Sequence, residues 1–158
     1  MNLKTVIVAA AAAFVFVSAP AQADSLTASA NHQSALASAE RALERGDADT
    51  ALLVLEDTRR GLRHDGDIAR VESMRCVALH ALTRYEDAEA ACSIAIDTRT
   101  AHWSDYNNRG AARIKLGDYD GAIDDLHQAN LLRRGASAVR RNLARATALR
   151  DSQAVASN

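Results

Sequence analysis

The sequence predicts an all-α fold: three helical hairpins stacked into an α-α superhelix and closed by a C-terminal capping helix. Three observations carry this expectation. The stretch KLGDYDGAIDDL at 115–126 repeats ALTRYEDAEAAC at 81–92 with a period of 34 residues. Apolar residues recur at helical spacing on both sides of the two stretches. The 158-residue chain is rich in Ala and only 4% aromatic, which favours thin, closely packed helices over sheet.

The first element is not part of the fold. Residues 1–23 carry Lys4 in a short basic head, an apolar run from Thr5 to Val17 and a small-x-small ending at Ala21-Gln22-Ala23. This is the pattern of a secretory signal peptide, with cleavage expected after Ala23. The apolar run is shorter than the ~20 residues that span a bilayer. An exported chain, periplasmic or secreted, is therefore expected, with residues 24–152 as its folded domain and 153–158 as a flexible tail.

Within that domain the repeat extends well beyond the two stretches. Leu116, Tyr119, Ala122, Leu126 and Ala129 fall on Leu82, Tyr85, Ala88, Cys92 and Ala95, and Gly110 falls on Cys76. A third copy lies upstream, where Gly46, Ala51, Leu55, Thr58 and Ala39 take the places of Gly117, Ala122, Leu126, Ala129 and Gly110. Its spacing to the middle copy is 37, and the extra residues are expected to form a turn-rich connection at His64-Asp65-Gly66-Asp67. The repeats run at about 32–65, 69–102 and 103–136, with the cap at 136–152. Helices are expected at 27–45, 48–62, 68–82, 85–98, 103–116 and 119–132. Gly46 and Gly117 end helices, and Asp47 and Asp118 start the next ones. The cap carries Val139, Leu143, Ala146 and Leu149 on one face and Arg on the rest, as the end of a stack requires.

A 34-residue period with two helices per unit, small residues where they cross and a large residue between resembles the tetratricopeptide repeat. The last copy supplies Tyr106, Gly110, Tyr119, Ala122, Leu126 and Ala129 of the family pattern. It departs at Arg109 and Arg113, where the family prefers Leu and an aromatic, and at Arg134, where it prefers Pro. The middle copy has Thr83 at the turn Gly and Cys76 at the small site. The resemblance implies a non-catalytic protein-interaction module whose first helices line a concave groove. Carried over place by place, that groove comprises Arg70, Ser73, Met74, Val77 and His80, then Ser104, Asn107, Asn108, Ala111, Ile114 and Lys115, then Arg141, Asn142 and Arg145. Of the places by which chaperone-binding members clamp a terminal carboxylate, only Asn108 is matched.

Cys76 and Cys92 lie on opposite helices of the middle hairpin, each eight residues from Arg84 at its turn. They stand level, and both occupy inward sites, so a disulfide is expected in an exported protein. The alternatives are two buried free thiols, or a thiol–imidazole pair between Cys76 and His80.

No phosphate-binding Gly loop, zinc spacing or hydrolase motif occurs, so no enzyme, cofactor or metal is expected. Asp118, Asp120, Asp124 and Asp125 read as carboxylates complementing a helix N-terminus. Charge is uneven. Asp24 to Asp67 holds nine acids against five Arg, whereas Arg133 to Arg150 holds six Arg and no acid.

The expected partner is a protein or peptide segment, acidic where it meets the Arg-rich end. The alternative function is an envelope assembly or stability factor holding acidic cell-wall, membrane-surface or protein material by that end. Nucleic acid is not expected, because the basic stretch lacks interleaved aromatics. No apolar run after residue 24 is long enough to span a membrane, and the two ends of the stack leave self-association open.

Overall fold

The computed structural model describes residues 21–98 and 102–157. Residues 1–20 of the expected leader lie outside them, and Ala21–Ala23 form the first turn of the first helix. Seven helices follow in order among the described residues: α1 (Ala21–Glu44), α2 (Ala48–Arg60), α3 (Asp65–Ala81), α4 (Tyr85–Asp97), α5 (Trp103–Leu116), α6 (Tyr119–Leu132) and α7 (Ser137–Ala156). No strand occurs among these residues.

Each helix packs against the next. In addition, α1, α3, α5 and α7 touch one another in series, while α2, α4 and α6 do not. Helices that remain in contact must lie on the shorter, inner arc, so α1, α3, α5 and α7 line the concave side.

Close approach within each hairpin comes from the small residues that recur in the sequence. Ala39, Cys76 and Gly110 are buried at the crossing, opposite buried Leu55, Cys92 and Leu126. Ala88, Ala95, Ala122 and Ala129 are buried as well. A Cβ added to Gly110 would stand 3.0 Å from Leu126 Cγ and 3.2 Å from the Ala122 carbonyl oxygen, leaving no room for a larger residue.

The same period continues into α7. Val139 and Ala146 lie 34 residues beyond Asp105 and Ala112, and all four are buried. The cap therefore takes the place of the first helix of a fourth unit. Its apolar face closes a cluster with Ile114, Leu126 and Ala129.

Gly46 and Gly117 make the first and third hairpin turns at φ +77° and +84°. Asp47 and Asp118 then accept hydrogen bonds from the backbone N–H of Thr50 and Gly121 at 3.1 and 3.0 Å. The middle hairpin has neither device. Thr83 takes the left-handed place at φ +60°, which a β-branched residue adopts only under strain. Arg84 stands at the N-cap, and its side chain makes no capping bond. This least favourable turn belongs to the hairpin that is cross-linked, since Cys76 and Cys92 are bonded with their Cα atoms 5.3 Å apart.

The first helix starts at Ala21, ahead of the expected residue 27, and two further boundaries differ from expectation. Asp65–Asp67 form the first turn of α3 instead of a loop, because Asp65 and Asp67 face the positive end of the helix dipole. At the other end α7 runs through 153–156, where a tail was expected. No Gly or Pro follows Gly135 to stop it, and the hydroxyls of Ser152 and Ser157 bond back to Ala148 and Gln153.

Two outcomes follow. Thr83→Gly raises stability by about 1 kcal/mol, once relief of left-handed strain is set against glycine's chain entropy, measured as a rise in urea midpoint at unchanged slope. Protein from an oxidising host has an intact mass two units below the dithiol value, and Cys92→Ala costs about 3 kcal/mol on the chain-entropy account of a 16-residue separation.

Candidate functional site

The inner face is assembled from side chains that recur at equal heights on α3, α5 and α7. Exposed Arg70 stands beside half-buried Ser104, and Met74 beside Asn108 and Asn142. Val77, 40% exposed, aligns with Ala111 and exposed Arg145. Exposed Lys115 and Arg141 flank this row. Near the start of α3, a cavity of about 350 Å³ opens between α1, α3 and α5. It gathers Arg70, Ser73, Met74 and Ser104 with Glu40 and His102.

The floor of this cavity is fixed by Asp105, which is buried. Its Oδ2 accepts the backbone N–H of His102 at 2.8 Å, and its Oδ1 accepts the Ser73 hydroxyl at 2.5 Å. One carboxylate thus caps α5 and ties it to α3. Glu40, His102 and Asp105 were not among the expected groove residues. Glu40 was legible, since it lies 37 residues before Val77 at the same place in the repeat. Asp105 was legible as a carboxylate three residues after His102 at a helix start.

Further along, a chain of amides links α5 to α7. Asn142 donates to Asn107 Oδ1 at 3.0 Å, and Asn107 donates to Asn108 Oδ1 at 3.3 Å. Asn107 is buried by this role. The Nδ2 of Asn108 and the Oδ1 of Asn142 have no partner among the described residues, leaving a donor and an acceptor at matching places on neighbouring helices.

His80 lies half-buried in a T-shaped contact with Tyr85, ring centroids 5.3 Å apart. Burial first, and then the charge of Lys115, lowers its pKa below the usual imidazole value. It forms no thiol–imidazole pair, because Cys76 is bonded to Cys92. Among the described residues no three His, Cys, Asp or Glu side chains converge to hold a metal.

No protein-family model matches the sequence, and no curated protein matches it. Solved structures do. The second TPR domain of human RPAP3, in complex with an HSP70 peptide, superposes with a TM-score of 0.67 at 21% identity, covering 76% of this chain and 98% of that one. The Sgt2 TPR domain from Aspergillus fumigatus gives 0.69 at 17% identity, covering 81% and 83%. PcrH in complex with the chaperone binding region of PopB gives 0.60 at 21%, covering 75% and 94%.

The chain has the tetratricopeptide-repeat fold.

On that fold, one expected groove residue is misplaced. Ile114 is 5% exposed and packs in the cluster with Val139 and Ala146, because α7 passes over it. The departures from the repeat pattern also acquire a physical role. Arg109 and Arg113, in place of Leu and an aromatic, converge on Asp125, which in the sequence reads only as complementing a helix N-terminus and is 3% exposed. Arg109 binds it bidentately at 2.9 and 2.7 Å, and Arg113 adds a bond at 3.0 Å. Both also reach α4, Arg109 at Ser93 and Arg113 at Glu89. The Asp125 hydrogen bonds raise the Arg109 pKa above its already high value. A second network lies between α2 and α3, where buried Glu72 accepts from Arg59 and Arg75 at 2.5 and 2.6 Å.

These networks join successive units, and each would leave buried charge if broken. Asp125→Ala should cost about 3 kcal/mol by leaving the Arg109 guanidinium without a carboxylate, while Arg113 keeps Glu89, measured as a loss in thermal and urea stability. The exposed Asp124→Ala should be near neutral.

Proposed function

We propose that this chain is a non-catalytic interaction module of the cell envelope that holds an acidic segment of another protein along its inner face. One observation carries the proposal. Arg59, Arg60, Arg75, Arg84, Arg109 and Arg113 each have a carboxylate within 4 Å. On the inner face Arg70, Lys115, Arg141 and Arg145 have no ion-pair partner among the described residues.

These free cations, on α3, α5 and α7, outnumber Glu40 at the α1 side. They bracket an apolar centre at Met74, Val77 and Ala111. An acidic segment with one or two apolar side chains matches that distribution, and the free amide groups of Asn108 and Asn142 suit the main chain of such a segment. The same fold in the RPAP3 domain with an HSP70 peptide, and in PcrH with a region of PopB, supports a peptide as occupant. The leader pattern at residues 1–23 supports the envelope as the place.

The test is binding of fluorescent acidic and neutral peptides that carry apolar residues. Val77→Glu and the pair Arg141→Glu, Arg145→Glu should each weaken acidic-peptide binding roughly tenfold or more, and binding should fall as salt rises. Affinity that is indifferent to Val77→Glu, with the fold intact by circular dichroism, would place the partner elsewhere.

A further inference from the structure

The turn between α6 and α7 carries a surface that the groove does not use. Leu131 and Leu132, the exposed apolar pair ending α6, are 66% and 57% exposed. Arg133 and Arg134 follow in an exposed loop whose backbone turns at Gly135, φ +78°. Neither Arg has an ion-pair partner among the described residues. Arg133 lies over the half-buried ring of Trp103, 4.8 Å from its centroid, and exposed Arg140 follows within the first turns of α7. No acidic residue occurs between Asp125 and Asp151.

Two exposed Leu side chains cost free energy in water unless something covers them. The neighbouring charges decide what. A second copy related by two-fold symmetry would bring Arg133, Arg134 and Arg140 against their own images, which like-charge repulsion opposes. A protein partner would have to supply a pocket for a projecting corner and acidic groups around it. An anionic lipid surface supplies both conditions without special shape, with acyl chain for the Leu pair and headgroup phosphate for the guanidiniums.

We infer that the Leu131-Leu132-Arg133-Arg134 corner is a peripheral membrane-docking site for anionic bilayer surfaces, separate from the inner groove. Its attachment is reversible and shallow, since it has two apolar anchors and a small cation cluster.

The sole Trp of the chain, Trp103, lies under Arg133 and reports docking directly. Protein purified from an exporting host is mixed with vesicles of phosphatidylcholine alone, or with about 30% phosphatidylglycerol, each doped with lipid brominated near the headgroup. The expected result is quenching of Trp103 by the anionic vesicles only, suppressed by high salt. Arg133→Gln with Arg134→Gln should weaken partitioning roughly thirtyfold, and Leu131→Gln with Leu132→Gln should lower it as well. All four positions are exposed, so the fold is expected to survive, as circular dichroism checks.

Val77→Glu in the groove should leave vesicle binding unchanged, which separates failure of the groove from failure of the corner. Equal quenching by both vesicle types overturns the inference, as does quenching unaffected by the four replacements. So does capture of a poly-glutamate peptide by the corner without vesicle binding, which would assign it to an acidic protein.

Discussion

The close crossing of two helices within each hairpin is the constraint on which the remaining structure depends. At Gly110 the neighbouring helix comes so near that an added methyl group would press on Leu126 Cγ and the Ala122 carbonyl, at 3.0 and 3.2 Å. Ala39 and Cys76 hold the same place in the other two units. Because the crossing is set identically each time, successive first helices lie side by side on the inner arc. Their side chains come to matching heights every 34 residues. A groove with a regular lining is the geometric result of that packing, and α7 extends it by adopting the same register.

Local preference and tertiary packing disagree in the middle unit, and packing prevails. Thr83 occupies a backbone region suited to Gly, and Arg84 provides no cap. An isolated hairpin with this turn would be poorly specified. Its crossing place, however, holds Cys76 against Cys92 where the other units place a small residue against Leu. The covalent link fills the same space and restricts the unfolded chain, so it supports the unit whose turn is weakest.

Charge is arranged on an equally clear division. Asp125 and Glu72 are each buried with two Arg, Asp125 inside the last hairpin and Glu72 where α2 meets α3. Such pairs contribute little net stability against their desolvation. The bidentate pair nevertheless tolerates little displacement, and it holds Arg109 and Arg113 where they reach Ser93 and Glu89 of the preceding unit. Apart from those Arg, cations without an ion pair among the described residues include Arg70, Lys115, Arg141 and Arg145 on the inner face and Arg133, Arg134 and Arg140 near the α6–α7 corner. A chain with formal net charge −1 thereby presents two basic surfaces.

Much of this was legible in the residues alone. The period, the helix order, the buried Ala positions and the level placement of Cys76 and Cys92 all follow from spacing along the chain. Helical geometry and a repeated crossing impose their pattern at fixed sequence intervals, so a single sequence suffices to read them. What spacing could not decide was which side chains a neighbouring helix would cover. Ile114 holds a groove place by repeat position, yet α7 buries it. Asp125 reads as one of several carboxylates complementing a helix N-terminus, yet Arg109 and Arg113 from α5 close over it. Burial and ion pairing between elements depend on where separate helices cross, and that is determined by the assembled fold, not by the local sequence.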